Sequence, residues 1–273
     1  MGTYSDPGLT ARYKAARELP GETIDLWMKS LVDAIPRRRI DCILDLGCGT
    51  GRFSDALAAT FDCQVLACEP SSLMLTQQSQ TANVHRISAQ AEHIPLKSES
   101  IDLIWMSQVF HHLSDSQGAF SAMNDVLAVG GVLVVRNGTK ESDHEILWAD
   151  FFPEVTQGTF HRIATRSNIL QSASQSGFKT LLVQSIEQLF VDSYDAYYER
   201  IRQRALSPLV ELPDRDFEAG LRRMRNWIDA QPKNRPVYES IDLFVTCALR
   251  WAAHVSTSSW IGSRTHSRTS SAI

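Results

Sequence analysis

Short apolar runs alternate with helical patterns along the first half of the chain. The runs at 42–46, 64–69, 84–89, 101–106 and 132–136 are rich in Ile, Val and Leu and have little polar alternation. Such runs are typical of strands that are buried on both faces of a parallel sheet. Between them, apolar residues recur at helical spacing; in one such segment, 119–127, the helix is predicted to be stopped by Gly130-Gly131. The pattern predicts an α/β domain.

The flanking regions carry further elements. Ile24, Trp27, Leu31 and Ile35 share one helical face, and Pro36 ends that helix. Later in the chain, 180–190 and 237–249 are predicted as a pair of antiparallel strands. The insertion between them, 192–236, has two helical patterns and is rich in arginine. These arginines are balanced by Asp and Glu, which favours a solvated helix face over a basic clamp for substrate.

The stretch Ile43–Ser54 places Gly47, Gly49 and Gly51 between a buried run and a helical pattern. Glycines let a ligand approach the main chain, and the amide groups that open the following helix face that ligand. A dinucleotide loop needs glycine or alanine where Arg52 stands, and a phosphate loop needs Gly-Lys-Ser/Thr at its end. The loop therefore predicts a nucleotide-type cofactor other than NAD, FAD or a nucleoside triphosphate.

This loop resembles motif I, Asp-x-Gly-x-Gly-x-Gly, of the class I S-adenosylmethionine (SAM) dependent methyltransferases. The resemblance extends over about residues 40–136. Within this class, the sequence resembles the small-molecule group called methyltransferase type 11, which is similar to the enzymes of ubiquinone and menaquinone biosynthesis. It implies SAM as methyl donor and a Rossmann-like, doubly wound, mostly parallel seven-stranded sheet with an antiparallel last strand.

The resemblance also implies a set of cofactor contacts. Glu69 follows the second apolar run, where a carboxylate receives the two ribose hydroxyls. Gln90-Ala91-Glu92 resembles the Asp-Ala-Glu stretch that covers the adenine, with Gln90 as a neutral acceptor in place of the aspartate. The residues predicted to bind the cofactor are Tyr13, Arg17, Asp45, Gly47, Cys48, Gly49, Gly51, Glu69, Pro70, Gln90, Ala91, Glu92 and Ser107.

The segment after the fourth apolar run, Ser107 to His112, is expected to face the methyl group, because ligands of open α/β sheets lie beyond the carboxyl ends of the strands. An imidazole titrates near neutral pH, so His111 and His112 are candidate general bases. The alternative is that one or both cap the next helix or fill the core. Catalysis by this class is otherwise mainly a matter of positioning.

The N-terminal segment carries Tyr13 and Arg17, and many small-molecule methyltransferases begin with a similar Tyr…Arg segment. The segment is either solvated surface or a lid that closes over the cofactor. If it is a lid, Arg17 is expected to bind the carboxylate of the cofactor through two hydrogen bonds. We predict a single domain over 1–254, with 1–36 as N-terminal lid and helix and 192–236 as a helical cap. The Ser/Thr-rich tail 255–273 has little to bury and is expected to be disordered.

The composition of the chain argues against several classes of binding partner. The chain has 273 residues and a net charge of −4, which argues against a dedicated nucleic-acid binder. It has no basic region followed by an apolar run at its start and no stretch long enough for a membrane helix, so no signal peptide and no membrane partner are predicted. Its five cysteines form no Cys-x-x-Cys pair and are predicted to be small buried residues in a reducing cytoplasm.

Substrate class follows from missing motifs. Ser107-Gln108-Val109-Phe110 replaces the Asn/Asp-Pro-Pro-Tyr/Phe motif of nucleic-acid amino-methyltransferases, and no Pro-Cys nucleophile or aspartate pair for magnesium is apparent. We therefore expect a metal-independent enzyme, monomeric or homodimeric, that methylates oxygen, nitrogen or carbon of a small organic acceptor. The alternative from another class is a SAM-binding regulator or inactive partner subunit.

Overall fold

The computed structural model describes residues 18–142, 147–155 and 163–249. Tyr13, Arg17 and the predicted tail 255–273 lie outside the described residues, so the predictions for them stay predictions. Within the described ranges, no helix is long and apolar enough to cross a membrane.

The core of the fold is a seven-stranded sheet in the order β3-β2-β1-β4-β5-β7-β6. Parallel pairing joins β1 to β2 and β4, β2 to β3, and β4 to β5. The last strand, β7, runs antiparallel to both of its neighbours, β5 and β6. The seven strands are β1 Cys42–Leu46, β2 Gln64–Cys68, β3 Val84–Ile87, β4 Ile101–Ser107, β5 Leu127–Asn137, β6 Phe178–Val191 and β7 Val237–Ala248. The doubly wound sheet with an antiparallel last strand is thus confirmed.

Helices cover both faces of this sheet. The α-helices are α1 Gly21–Ala34, α2 Ser54–Phe61, α3 Ser72–Leu75, α4 Ser116–Val126, α5 Arg166–Gln175, α6 Tyr194–Arg202, α7 Ser207–Val210 and α8 Asp214–Asp229. Two short 3-10 helices, Phe110–His112 and Leu147–Phe151, follow β4 and precede α5. One core cluster packs α1, α2 and the insertion against one face of the sheet, and a second packs α4 and α5 against the other.

Neighbouring residues of the central strands supply these two clusters in turn. In β1, Ile43 belongs to the first cluster and Leu44 to the second, and both are fully buried. The apolar runs lack polar alternation for this reason, because each residue of the strand meets one or the other apolar layer.

The predicted boundary between the helix and the fifth strand is wrong. The helix α4 ends at Val126, and β5 begins at once at Leu127, so Gly130-Gly131 lies inside the strand. Pairing with β4 shifts register between Ile101 and Leu103 at this point. A Cβ on Gly131 would come within 2.9 Å of the Ala128 carbonyl oxygen, so the glycine is needed for an irregular strand crossing and not for a helix stop.

The helix α1 is anchored at the edge of the sheet where the parallel strands end. Its Trp27 is fully buried and donates from Nε1 to Gln188 Oε1 of β6 at 2.6 Å. Thr23 Oγ1 donates to the Leu189 carbonyl at 2.7 Å. The predicted apolar face, with Trp27, Leu31 and Ile35 buried, is confirmed.

The insertion between β6 and β7 consists of α6, α7 and α8. Five of its arginines form ion pairs with acidic partners at its surface: Arg202 with Glu199, Arg204 with Asp214, Arg215 with Asp216, Arg223 with Glu154, and Arg225 with Asp195 and Asp229. Such exposed pairs contribute little stability. For these arginines the solvated, charge-balanced face expected from the sequence is found.

Candidate functional site

The three glycines of the loop after β1 play different parts. A Cβ on Gly47 would lie 2.3 Å from Val109 Cγ2, and one on Gly51 would lie 2.9 Å from Gln78 Cγ. A Cβ on Gly49 would meet nothing within 4 Å. Gly47 and Gly51 therefore make room for the protein's own side chains, whereas the open side of Gly49 faces a cavity that a ligand can enter.

Glu69 fixes the same loop from the end of β2. Its Oε2 accepts from the Gly49 amide at 3.1 Å, and its Oε1 accepts from the Ser71 amide at 3.0 Å. Burial raises the pKa of this carboxyl, and the two amide hydrogen bonds act against that rise. Each oxygen keeps a second lone pair, so the carboxylate can still accept two hydroxyl groups of a ribose.

A polar cavity opens between this loop and the end of β4. The residues that line it are Asp45, Gly47, Cys48, Gly49, Thr50, Arg52, Phe53, Ser107 and Gln108. The strands β1 and β4 are neighbours, and their carboxyl ends bring the two segments together. The cavity is therefore at the position where open α/β sheets bind their ligands.

Asp45 is the carboxyl group of this lining, and it is 2% exposed. Its Oδ2 accepts from Ser54 Oγ at 2.7 Å. Burial is the main cause that raises the pKa of Asp45 to about 7, and the negative charge of Glu69 adds to the rise. The hydrogen bond from Ser54 and the positive charge of Arg52 act in the opposite direction. A buried carboxyl with a pKa near 7 ionises readily when a cation comes next to it.

The residues expected at the adenine, and Pro70, which is also predicted to bind the cofactor, lie apart from the cavity lining. Gln90 and Pro70 are exposed, and Ala91 is half-buried against the second core cluster. Glu92 Oε1 accepts from the Ser114 amide at 3.1 Å and the Ser114 hydroxyl at 2.8 Å. In this structure the Glu92 carboxylate therefore holds the loop before α4.

The two histidines lie in the 3-10 helix after β4 and are both exposed. Their ring centroids are 4.0 Å apart. Neither is part of the lining of the polar cavity, in contrast to Ser107. A catalytic role for His111 or His112 stays a prediction.

Sequence reasoning missed three residues at this site. Arg52 was noted only as an argument against NAD, yet it lines the cavity beside Asp45. Gln108 also lines it, and has a positive φ of 59°. Gln78, which is buried, donates to Cys48 Sγ at 2.9 Å and to the Gly49 carbonyl at 3.0 Å, and so supports the loop from behind. Nothing in the spacing of Gln78 points to this contact across 30 residues.

A glycine loop after β1, an acid at the end of β2 and a polar cavity at the end of β4, on this sheet, define the class I methyltransferase domain. In agreement, residues 44–135 match the profile of the family described as "Methyltransferase domain". This part of the chain is thus a methyltransferase domain of the SAM-dependent class.

Curated relatives come from the same class. The chain is 32% identical over 146 residues to a malonyl-[acyl-carrier protein] O-methyltransferase of Enterobacter lignolyticus, which covers 53% of each chain. It is 34% identical over 105 residues to a ubiquinone/menaquinone biosynthesis C-methyltransferase of Campylobacter jejuni, with 36% of this chain and 45% of that protein covered. The chain thus spans about half the length of the curated relatives that it matches.

Solved structures share the fold. A protein of Anabaena variabilis that is described as a methyltransferase of an antibiotic biosynthesis pathway superposes with a TM-score of 0.68 at 19% identity, over 85% of this chain and 99% of that chain. The phosphoethanolamine N-methyltransferase 2 of Haemonchus contortus, solved with SAM, gives a TM-score of 0.60 at 17% identity, over 90% of this chain and 58% of that chain.

Proposed function

We propose that this protein transfers a methyl group from SAM to a small organic acceptor. The observation that carries the proposal is the open side of Gly49, whose amide is held by Glu69 and whose missing Cβ leaves room for a ligand. When bound, SAM supplies an electrophilic methyl group on a sulfonium sulfur. The relatives give no support to a non-catalytic regulator, since those described above are named as methyltransferases.

The cavity side chains fit a zwitterionic amino-acid portion. Asp45 and Arg52 both line the cavity, so a carboxyl and a guanidinium border the space that this portion would occupy. We assign the ammonium of the methionine portion to Asp45, whose pKa of about 7 lets it ionise beside a cation. Gly47, Cys48, Gly49 and Gly51 would border the same portion of the cofactor, and Tyr13 with Arg17 would add a lid, as the sequence predicts.

The remaining cofactor contacts extend from Glu69 toward β3. Two lone pairs of the Glu69 carboxylate are available for the ribose hydroxyls. Gln90, Ala91 and Glu92 are assigned to the adenine end from the sequence resemblance alone, and Pro70 is assigned to the cofactor on the same ground. Ser107 and the residues after it are assigned to the methyl group and its acceptor. A cytoplasmic location, metal independence and a monomeric or homodimeric state remain predictions from the sequence.

Calorimetry with SAM on the Glu69→Ala variant tests the proposal. Loss of a hydrogen-bonded carboxylate should weaken SAM binding by about 1.5–3 kcal/mol, which is roughly 10- to 150-fold in Kd. Glu218→Ala, at an exposed glutamate on α8, is the matched control and should bind SAM as the wild type does. A screen of small acceptors for S-adenosylhomocysteine (SAH) release then tests catalysis. Wild-type affinity in a folded Glu69→Ala protein would count against the proposed cofactor site.

A further inference from the structure

Gln78 is a buried side chain that reaches the glycine loop from the segment after α3. It is 6% exposed. Its Nε2 donates to the Gly49 carbonyl at 3.0 Å and to Cys48 Sγ at 2.9 Å. Its own backbone is fixed, because its amide donates to the Leu75 carbonyl and its carbonyl accepts from Arg86 Nη2 of β3. The side chain therefore holds the loop from an anchored position.

The amide of Gln78 is not explained by packing. A Cβ on Gly51 would lie 2.9 Å from Gln78 Cγ and 3.3 Å from its Cδ, so the side chain lies flat against this glycine. Gln78 Oε1 is buried and makes no hydrogen bond with any residue that the structure describes. A buried polar atom without a partner costs free energy, and an apolar side chain of equal length would fill the same space without that cost. What an apolar side chain could not supply is the donor to the Gly49 carbonyl.

This hydrogen bond fixes the orientation of the peptide between Gly49 and Thr50. In a planar trans peptide, the carbonyl and the N–H point in opposite directions. Since the Gly49 carbonyl points to Gln78, the Thr50 amide points away from Gln78. Thr50 lines the polar cavity and Gln78 does not. Within the described part of the chain no group accepts from the Thr50 amide, so this N–H is available to a ligand.

The neighbouring peptides of the loop are held in other ways. The Gly49 amide donates to Glu69 Oε2 at 3.1 Å, and the Gly51 amide donates to the Cys48 carbonyl at 3.0 Å. The peptide between Gly49 and Thr50 follows a glycine with φ +56°, and glycine backbone torsions are permissive. This peptide can therefore turn over at little cost unless its carbonyl is held. A turned peptide would present an oxygen to the cavity in place of the N–H.

We propose that Gln78 is a positioning residue for the cofactor, which holds the peptide between Gly49 and Thr50 so that its N–H faces the carboxylate of the methionine portion. The inference rests on the proposed function and adds to that site a residue outside the cavity lining. A backbone N–H binds a carboxylate through a charge-assisted hydrogen bond, whereas a carbonyl oxygen in its place would repel it. Gln78 does not touch the cofactor in this arrangement and acts through the peptide.

The effect of Gln78 should depend on the carboxylate of the ligand. Gln78→Met keeps the length of the side chain and its packing against Gly51 but has no donor. Calorimetry at neutral pH compares SAM with decarboxylated SAM, which has the same sulfonium, ribose and adenine. In Gln78→Met, SAM should bind roughly tenfold more weakly or worse, and decarboxylated SAM should change by less than about twofold. A general loosening of the loop would weaken both ligands alike.

The second variant, Gln78→Glu, makes the donor depend on pH. A neutral glutamic acid can donate its O–H to the Gly49 carbonyl, but an ionised one has acceptors only. Burial disfavours the ionised form, so the SAH affinity relative to the wild type at the same pH should be near one at about pH 6 and fall roughly tenfold or more by about pH 9. Comparison at equal pH removes the contribution of Asp45. Gln80→Met and Gln80→Glu, at an exposed glutamine, are the matched controls and should bind as the wild type does.

Several results would overturn the inference. These are wild-type SAM affinity in a folded Gln78→Met protein, an equal loss for SAM and decarboxylated SAM, or a relative SAH affinity of Gln78→Glu that does not change with pH. If Gln78→Met does not fold, the pH series on Gln78→Glu decides alone. If the wild type binds SAM and any of these results is found, only the inference on Gln78 is wrong. If the wild type binds neither SAM nor SAH, the proposed function is wrong and the inference falls with it.

Discussion

Asp45 links the stability of the protein to its cofactor. Burial is the largest cause of its raised pKa, about 7 in the folded protein, against about 3.9 for an unperturbed aspartate in the unfolded chain. Because the folded pKa is the higher one, the native state holds a proton that the unfolded chain has lost. Its contribution to stability is therefore fully present below about pH 4 and is lost as the pH rises through about 7.

The Asp45→Asn variant removes this titration. With these two pKa values, the free energy of unfolding of the wild type should fall by about 2.5 kcal/mol relative to the variant between pH 5 and pH 8. Contributions from other groups cancel in the difference. Denaturant unfolding of both proteins without SAM, at a series of pH values, measures it. Asp33→Asn, at an exposed aspartate of α1, is the control and should follow the wild-type slope.

The same group should make SAM binding depend on pH. A bound ammonium favours the ionised form of Asp45, so the wild-type affinity for SAM should rise by up to about tenfold per pH unit below pH 7. In Asp45→Asn the affinity should be lower and nearly independent of pH over this range. Parallel stability curves for the wild type and Asp45→Asn would refute a protonated Asp45 in the free protein. A SAM affinity that does not vary with pH would refute its contact with the ammonium.

The remaining predictions concern packing, an ion pair and the histidines. Gly47 and Gly49 both have a positive φ, so either Ala variant carries backbone strain. Gly47→Ala should lose about 1–3 kcal/mol more stability than Gly49→Ala, because its Cβ would also meet Val109, whereas Gly49→Ala should weaken SAM binding in calorimetry. Equal losses of stability in the two variants would contradict the assigned roles. Asp242, fully buried, accepts from Arg166, Ser185 and Thr139, and these bonds outweigh burial and lower its pKa. Asp242→Asn should cost roughly 3 kcal/mol at neutral pH in denaturant unfolding, and the difference should shrink as the pH falls through the pKa of the folded protein; a constant difference would refute the ion pair. If His111 is the general base, His111→Ala should lower kcat by about 10²–10⁴-fold and leave the SAM affinity nearly unchanged in calorimetry; near-normal kcat at neutral pH would rule out this role.

The sequence could predict the fold because strands that are buried on both faces of a sheet consist of nearly uninterrupted apolar runs, and such runs can be recognised in the sequence. Only irregular geometry escaped it: Gly130-Gly131 has the appearance of a helix stop, but it lies within a strand that shifts register. A glycine that stops a helix can be told from a glycine inside a strand only when the atoms that would meet its Cβ are known, here the Ala128 carbonyl oxygen beside Gly131.

At the site, the loop and Glu69 were found because they are local in the chain and their spacing is fixed by one strand–turn–helix unit. The different parts of the three glycines depend on Val109 and Gln78, which only folding brings beside them. The hydrogen bond from Arg136 to Ser107 Oγ exists because β4 and β5 pair in a register that sets these two residues side by side. The hydrogen bonds of a side chain depend on its neighbours in space, so only the tertiary structure decided that Ser107 Oγ accepts from Arg136 and that Gln108 Oε1 accepts from the Gly138 amide.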